Sequence, residues 1–140
     1  NGVSSDRITI IGYQDGPSYM RTYGTMDIAL DPFPFAGGTT TFDALWMGVP
    51  VITWPQDRVV SRQTFAFLSA IGLAELAAKD VADYVHIAQT LAADRAKLNH
   101  LRSALRNTMQ ASSLMDVAGF TRQLEATLHD LHGTIKQSSP

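Results

Sequence analysis

Two glycines followed by a run of threonines form the segment whose residue types best fit a chemical role. Gly37 and Gly38 separate a short apolar run from a segment with helical spacing, which opens with Thr39 and Thr40. Glycine lets the backbone take positive φ, and the free N–H groups at the start of a helix, together with hydroxyl donors, attract anions. The pattern therefore predicts an anion site at this helix start, of a size that suits a diphosphate.

An aspartate follows one helical turn deeper. Asp43 lies four residues after Thr39, and a carboxylate in direct contact with phosphate would repel it. Displaced by one turn, it is placed to accept hydrogen bonds from ribose hydroxyls, as acidic residues do in dinucleotide sites. An alternative stays open, because the same residues also form an ordinary helix N-terminus with a favourable acidic first turn. The segment matches neither a P-loop nor a GxGxxG fingerprint.

The other candidate groups favour structural roles. His129 and His132 are three residues apart near a helix end, where they complement the helix dipole better than they make half a metal site. Asp31, at a strand end before a proline, is expected to shape the turn. We therefore predict no metal site, no cofactor and no catalytic residue within this chain.

Three short apolar runs, rich in β-branched residues, alternate with helical segments and predict strands at 7–12, 27–31 and 49–54. This alternation is typical of βαβ units around a parallel sheet. Ligands of such sheets bind beyond the carboxyl ends of the strands, where the glycine–threonine segment lies. A complete doubly wound domain has about six strands. We therefore expect the chain to be the later part of a sheet that belongs to a longer protein.

The second half of the chain shows four apolar stripes with the three-and-four spacing of amphipathic helices. Ser61 and Asp80 are predicted to cap the first two helices, and Gly72 and Gly133 to end the first and the last. The chain is thus predicted to be an α/β, partial Rossmann-like domain over residues 1–135, with about three parallel strands and a helical cap. Residues 136–140 are predicted to form a disordered tail.

The composition restricts the possible partners. With 11 basic and 13 acidic residues the formal net charge is −2, which leaves no basic surface for a nucleic-acid backbone. The absence of cysteine excludes disulfides and thiolate zinc sites and fits a reducing compartment. The apolar runs are too short to span a bilayer, and no signal-peptide pattern opens the chain. We expect a cytoplasmic protein that contacts neither nucleic acid nor membrane.

The motifs together are more specific than the glycine–threonine segment alone. The runs 27–34 (DIALDPFP), 37–41 (GGTTT) and 43–53 (DALWMGVPVIT) resemble those of bacterial O-linked N-acetylglucosamine transferases and the related plant enzymes. Further matches, which extend the resemblance over nearly the whole chain, lie at 61–62, 71–73, 75–76, 83–85, 101–106 and 113–116.

The resemblance implies a GT-B architecture, in which two Rossmann-like domains hold the donor between them and the C-terminal domain binds UDP. This chain corresponds to the C-terminal part of that second domain. By the resemblance, Thr39 and Thr40, with the preceding Gly37 and Gly38, contact the diphosphate. Asp43 contacts the ribose in the same comparison. The loop that approaches uracil, through backbone atoms and a ring, falls on Tyr13, Gln14 and Asp15, and on Tyr19.

The family's activity is the inverting transfer of N-acetylglucosamine from UDP-N-acetylglucosamine to protein serine or threonine hydroxyls, without a required metal. Two positions depart from the animal enzymes, which carry histidine where this chain has Gly38 and Tyr19. A lysine that pairs with the diphosphate, the catalytic half and the acceptor-binding tetratricopeptide repeats lie upstream of Asn1 in the family. The chain alone is therefore expected to be inactive and, with an exposed strand edge, to self-associate. Two alternatives remain: a GT-B enzyme that uses another sugar nucleotide, and a non-catalytic binding or scaffolding module.

Overall fold

The structure is a computed structural model that describes the backbone of residues 2–137 and the side chains of residues 2–133. It contains α-helices and short 3-10 turns around a small parallel sheet. The α-helices are α1 Gly16–Thr22, α2 Thr39–Trp46, α3 Gln63–Ala70, α4 Val81–Ala93, α5 Arg95–Gln110 and α6 Val117–Gln137. The 3-10 turns are Ser5–Arg7, Tyr23–Thr25, Val59–Ser61, Ala74–Leu76 and Ser113–Met115.

The sheet of the described residues has two parallel strands, β1 Ala29–Leu30 and β2 Val51–Ile52. Ala29 lies opposite Val51, and the Asp31 N–H donates to the Ile52 carbonyl at 2.9 Å. A single parallel bridge joins Thr53 to Ala77 beyond the end of β2. The α/β class and the second and third predicted strands are therefore confirmed, although each strand is shorter than its apolar run.

The first predicted strand, at 7–12, is wrong for this structure. Arg7 ends a 3-10 turn, and the residues after it lie outside any strand. Their side chains point into solvent, with Ile10 90% exposed and Ile8 and Ile11 at least half exposed. An apolar run becomes a strand only where a neighbouring strand supplies hydrogen-bond partners and covers its faces. The described part of the chain contributes no such neighbour to this run.

The β1–α2–β2 unit is tightly joined where α2 ends. Gly48 has φ of 81°, and a Cβ there would lie 2.6 Å from the Arg102 carbonyl oxygen. This close approach to α5 and the left-handed conformation both require glycine. The turn leads directly into the fully buried Val49 and Ile52, so that the helix end, the strand and α5 share one core.

The helical cap follows the predicted apolar stripe in α5, whereas in α4 two residues of the predicted stripe, Val81 and Val85, are exposed. The Asp80 carboxylate accepts from the Asp83 N–H at 2.8 Å and caps α4, as predicted. In α5, the stripe at three-and-four spacing is buried and packs into the core; it consists of Leu98, Leu101, Leu105 and Met109. Ser61, in contrast, lies in a 3-10 turn and donates to the Arg58 carbonyl at 2.7 Å, so it does not cap α3.

The last helix departs from the prediction at both its end and its surface. α6 continues through Gly133 to Gln137, because an interior glycine costs a helix only about 1 kcal/mol. Residues 136–137 of the predicted tail are therefore helical, and 138–140 lie outside the described residues. The apolar stripe of α6 is exposed and consists of Val117, Phe120, Leu124, Leu128 and Leu131.

No helix described in the structure is long and apolar enough to cross a bilayer.

Candidate functional site

The segment between β1 and the start of α2 presents hydrogen-bond donors to solvent. α2 begins at Thr39, and its first intrahelical bond runs from the Phe42 N–H to the Gly38 carbonyl at 3.1 Å. The amides of Thr39 and Thr40 precede that bond, so α2 gives them no backbone acceptor. Their side chains are exposed. The predicted helix start is confirmed, and its geometry suits an anion; the ligand itself stays a prediction.

The glycine pair reflects close packing rather than positive φ, and the packing is tightest at Gly37. Neither Gly37 nor Gly38 has positive φ, so that part of the expectation is wrong. A Cβ on Gly37 would overlap the Thr41 hydroxyl and lie 3.0 Å from the Thr40 hydroxyl. A Cβ on Gly38 would lie 3.1 Å from the Gln63 side-chain oxygen. The glycines thus let the loop pack closely against the first turn of α2 and the start of α3.

A buried carboxylate, that of Asp31, holds the loop between β1 and α2. Asp31 is only 7% exposed, and its Oδ1 accepts from the Gly37 N–H at 2.7 Å. Its Oδ2 accepts from the Thr53 hydroxyl at 2.6 Å, and its carbonyl accepts from the Tyr84 hydroxyl at 2.9 Å. Asp31 therefore shapes the turn, as predicted. The Gly37 N–H is directed at this carboxylate, so the amides of Thr39 and Thr40 are the ones that α2 leaves without a backbone acceptor.

A pair of threonines holds the backbone carbonyl of Gly37. The Thr41 and Thr64 hydroxyls lie 3.0 Å apart, and Thr64 Oγ1 donates to the Gly37 carbonyl at 3.2 Å. Both threonines are buried. Since each hydroxyl carries one proton, Thr41 donates to Thr64 while Thr64 donates to Gly37. Both polar groups of the Gly37 backbone are thus held by buried partners, and the loop has a fixed conformation.

The aspartate of α2 contacts the helix that precedes β1. The Tyr19 hydroxyl lies 3.2 Å from Asp43 Oδ2 and 2.6 Å from the Tyr23 hydroxyl. The Tyr23 hydroxyl also lies 3.3 Å from the Thr40 carbonyl, and the two tyrosine rings meet edge to face with centroids 5.3 Å apart. The structure thus brings Tyr19, Thr40 and Asp43 together at one site. Tyr23 is a site residue that the sequence did not predict, although its spacing of four from Tyr19 was a usable signal.

Gln14 lies just before α1. Its Oε1 accepts from the Thr22 hydroxyl at 2.7 Å, and the adjacent Asp15 caps α1 by accepting from the Ser18 N–H at 2.9 Å. Gln14 is half-buried, whereas the neighbouring Tyr13 is fully exposed. The loop before α1 is therefore fastened to the helix at two residues: Asp15 caps α1, and Gln14 bonds to Thr22 near its end.

Two phenols of the site remain protonated at neutral pH. Burial raises the pKa of Tyr23, and the hydrogen bond and charge of Tyr19 and the charge of Asp43 raise it further. Burial, followed by the negative charge of Asp31, also raises the pKa of Tyr84. Both hydroxyls are therefore donors. Among the residues that the structure describes, no three histidine, aspartate or glutamate side chains are grouped so as to hold a metal ion.

Known proteins are similar to this chain in sequence. The SPINDLY protein of Petunia hybrida is named a probable UDP-N-acetylglucosamine–peptide N-acetylglucosaminyltransferase. It is 41% identical over 113 residues, which make up 81% of this chain and 12% of that protein. The UDP-N-acetylglucosamine–peptide N-acetylglucosaminyltransferase of Caenorhabditis elegans is 30% identical over 139 residues, or 99% of this chain and 12% of that protein.

A solved structure matches as well. A mutant of the Thermobaculum terrenum O-GlcNAc transferase superposes with a TM-score of 0.84 at 35% identity, over 91% of this chain and 24% of that one. The family model described as glycosyl transferase family 41 matches residues 1–124. The chain spans only about an eighth of the two relatives named above. On the evidence of family model, relatives and fold, the chain belongs to glycosyltransferase family 41.

Proposed function

We propose that the chain forms the UDP-binding portion of an inverting glycosyltransferase that moves N-acetylglucosamine from UDP-N-acetylglucosamine to protein serine or threonine hydroxyls. The observation that carries the proposal is the start of α2, where Thr39 and Thr40 are exposed and their amides have no backbone acceptor within the helix. The names of the relatives support the sugar and the acceptor class.

The role of the α2 start is electrostatic. As the bond between sugar and phosphate breaks, negative charge builds on the UDP leaving group. Amides and hydroxyls at the positive end of a helix dipole stabilise that charge. Such donors act best when they need no rearrangement on binding. The hydrogen bonds of Gly37 to Asp31 and Thr64 hold the preceding loop, and with it the start of α2, in place before substrate arrives. The chain thus contributes leaving-group stabilisation that does not depend on a metal.

Asp43 is placed for the next group of the nucleotide. Four residues of helix separate it from Thr39, which corresponds to about 6 Å along the axis. At that distance the carboxylate avoids the diphosphate and accepts from a ribose hydroxyl. Tyr19 and Gln14, on and before α1, flank the side where the base would follow. The proposed order along the site is therefore diphosphate, ribose and base.

The remaining functions belong, in this proposal, to the part of the protein outside this chain. The catalytic base, the lysine that pairs with the diphosphate and the repeats that bind the acceptor are contributed there. The chain alone then binds the nucleotide without transferring sugar. We further propose that the full protein works in the cytoplasm, where UDP-sugar and acceptor proteins are both present.

A two-dimensional NMR titration of the chain with UDP, and separately with inorganic phosphate, tests the proposal. UDP should shift the amides of residues 37–43, and Thr40→Ala should weaken the shifts by removing a hydroxyl donor. Thr90→Ala, at an exposed position in α4, is the matched control and should bind as the wild type does.

The alternatives give different titrations. Tighter binding of another nucleoside diphosphate, with shifts at the same residues, would assign the chain to an enzyme with a different sugar donor. A well-dispersed spectrum with no shift at residues 37–43 for any nucleotide would reject the proposal and favour a non-catalytic module.

A further inference from the structure

Tyr23 is a buried phenol with more acceptors than protons. It is 7% exposed and closes α1 against the start of α2. Its hydroxyl lies 2.6 Å from the Tyr19 hydroxyl and 3.3 Å from the Thr40 carbonyl. One proton can satisfy only one strong hydrogen bond, and the shorter contact is the stronger. The fold thus offers Tyr23 a choice between two partners, both of which lie at the proposed nucleotide site.

The carboxylate of Asp43 decides that choice. An ionised carboxylate only accepts hydrogen bonds, so the contact of 3.2 Å between Tyr19 and Asp43 Oδ2 requires the Tyr19 proton. With its own proton committed, Tyr19 accepts from Tyr23 across 2.6 Å. The protons therefore run in one direction, from Tyr23 to Tyr19 to Asp43. Each bond polarises the next, and the last one ends on a charge.

This arrangement engages one carboxylate oxygen and leaves the other for a ligand. We propose that Tyr23 and Tyr19 are positioning residues, which hold Asp43 so that its Oδ1 accepts a hydrogen bond from a ribose hydroxyl. The tyrosine pair then gives the site a preference for ribonucleotides over deoxyribonucleotides. The inference rests on the proposed function, since it concerns the same nucleotide. It adds two residues and a selectivity that the diphosphate contacts alone do not supply.

The protonation of Tyr23 supports this direction of donation. Burial and the neighbouring oxygens raise its pKa, so the phenol keeps its proton throughout the neutral range. The ring packing supports it too. The edge-to-face contact of Tyr19 and Tyr23, with ring planes 81° apart, restrains both hydroxyls. The Asp43 carboxylate is therefore held by a restrained donor rather than by a freely rotating one.

The test compares four probes on the chain: UDP, 2′-deoxy-UDP, 3′-deoxy-UDP and inorganic pyrophosphate, with dissociation constants from NMR titration. The wild type should prefer UDP over at least one deoxy analogue by about tenfold, the value of one hydrogen bond to a charged group. Tyr23→Phe keeps the ring and removes the hydroxyl. It should lower that preference about three- to tenfold and leave pyrophosphate affinity within about twofold.

Two further variants separate positioning from general support. In an Asp43→Asn background, Tyr23→Phe should have little additional effect on the preference, because the two residues act through one interaction. Thr108→Val, which removes a half-buried hydroxyl from the Ala104 carbonyl within α5, should leave the ribose preference unchanged. Dispersed amide spectra establish that each variant is folded.

The outcomes are distinct. An unchanged ribose preference in a folded Tyr23→Phe variant would overturn the inference. So would an equal loss of pyrophosphate affinity, because that would indicate a purely structural role. Wild-type chain that binds neither UDP nor pyrophosphate would remove the proposed function and this inference with it, whereas failure of the positioning role alone leaves wild-type binding intact.

Discussion

The Asp31 carboxylate and the Gly37 amide lie 2.7 Å apart across the turn that follows β1. This bond couples the end of the sheet to the start of α2, because the same carboxylate accepts from Thr53 beyond β2. A charged acceptor that is buried against two donors is stabilising only while both bonds are intact. The position of the proposed anion site is thus fixed by a residue that does not itself face the anion.

Replacing that acceptor should destabilise the fold and weaken nucleotide binding. Asp31→Ala leaves the Gly37 N–H and the Thr53 hydroxyl without their partner, and we expect the free energy of unfolding in urea to fall by about 2–3 kcal/mol. Asp57→Ala, an exposed carboxylate in the loop after β2, should stay within about 0.5 kcal/mol of the wild type. Equal stabilities of the two variants would show that the Asp31 bonds contribute nothing net.

A methyl group on Gly37 should have a comparable effect for a steric reason. The added carbon meets the Thr41 and Thr40 hydroxyls, so Gly37→Ala forces the buried Thr41 away from Thr64. We expect a loss of about 1–3 kcal/mol in unfolding free energy and chemical-shift changes at Thr41 and Thr64. Gly24→Ala is the matched control, since nothing lies within 4 Å of a Cβ there. A Gly37→Ala variant as stable as that control would contradict the packing argument.

The sequence predicted best those elements whose partners lie inside the chain. The stripe of α5 is amphipathic by itself and is buried as expected. The helix start at Thr39 is defined by local residues and is confirmed. The run at 7–12 has the same apolar character as a buried strand, yet it remains unpaired and exposed. Periodicity reports which residues would be buried in a sheet, but not whether the rest of that sheet is present.

The contacts of the site were harder to predict because they join distant residues. Tyr23 meets Thr40, and Thr64 meets Gly37 across 27 positions. No local pattern distinguishes the Thr64 hydroxyl from exposed ones elsewhere on helices, and for Tyr23 the only local signal is its spacing of four from Tyr19. The glycine pair shows the same difficulty, since glycine predicts positive φ here, whereas both glycines have negative φ and pack closely against neighbouring side chains.

The buried stripe of α5 should be sensitive to truncation, whereas that of α6 should not. Leu105 is 1% exposed and Leu128 is 56% exposed. We expect Leu105→Ala to lower the free energy of unfolding by about 2–5 kcal/mol, from lost transfer energy and the cavity left behind. Leu128→Ala should stay within about 0.5 kcal/mol. Urea unfolding of both variants measures the contrast, and a large loss at Leu128 would mean that α6 is covered in solution.

The exposed run at 7–12 should promote self-association of the chain. Ile10 is 90% exposed, and Leu30 on β1 is 59% exposed. Exposed strand edges and exposed apolar segments recruit other chains. We expect concentration-dependent sedimentation that Ile10→Lys reduces. Val81→Lys, which adds the same positive charge at an exposed aliphatic residue of α4, should leave it unaltered. A wild-type chain that stays monomeric at high concentration would refute the expectation.

The buried phenol of Tyr23 should make stability fall at alkaline pH. Its pKa is raised above the ordinary tyrosine value of about 10, chiefly by burial. Above pH 10 the unfolded chain therefore releases a proton that the folded chain retains, and the free energy of unfolding decreases as pH rises. Below pH 10 both states keep the proton, and the group adds no pH dependence. Tyr23→Phe removes the ionisation while Tyr84 retains its own. We expect urea unfolding between pH 8 and 11 to give a shallower alkaline decline for the variant, and parallel curves would show that Tyr23 is not buried as a neutral donor.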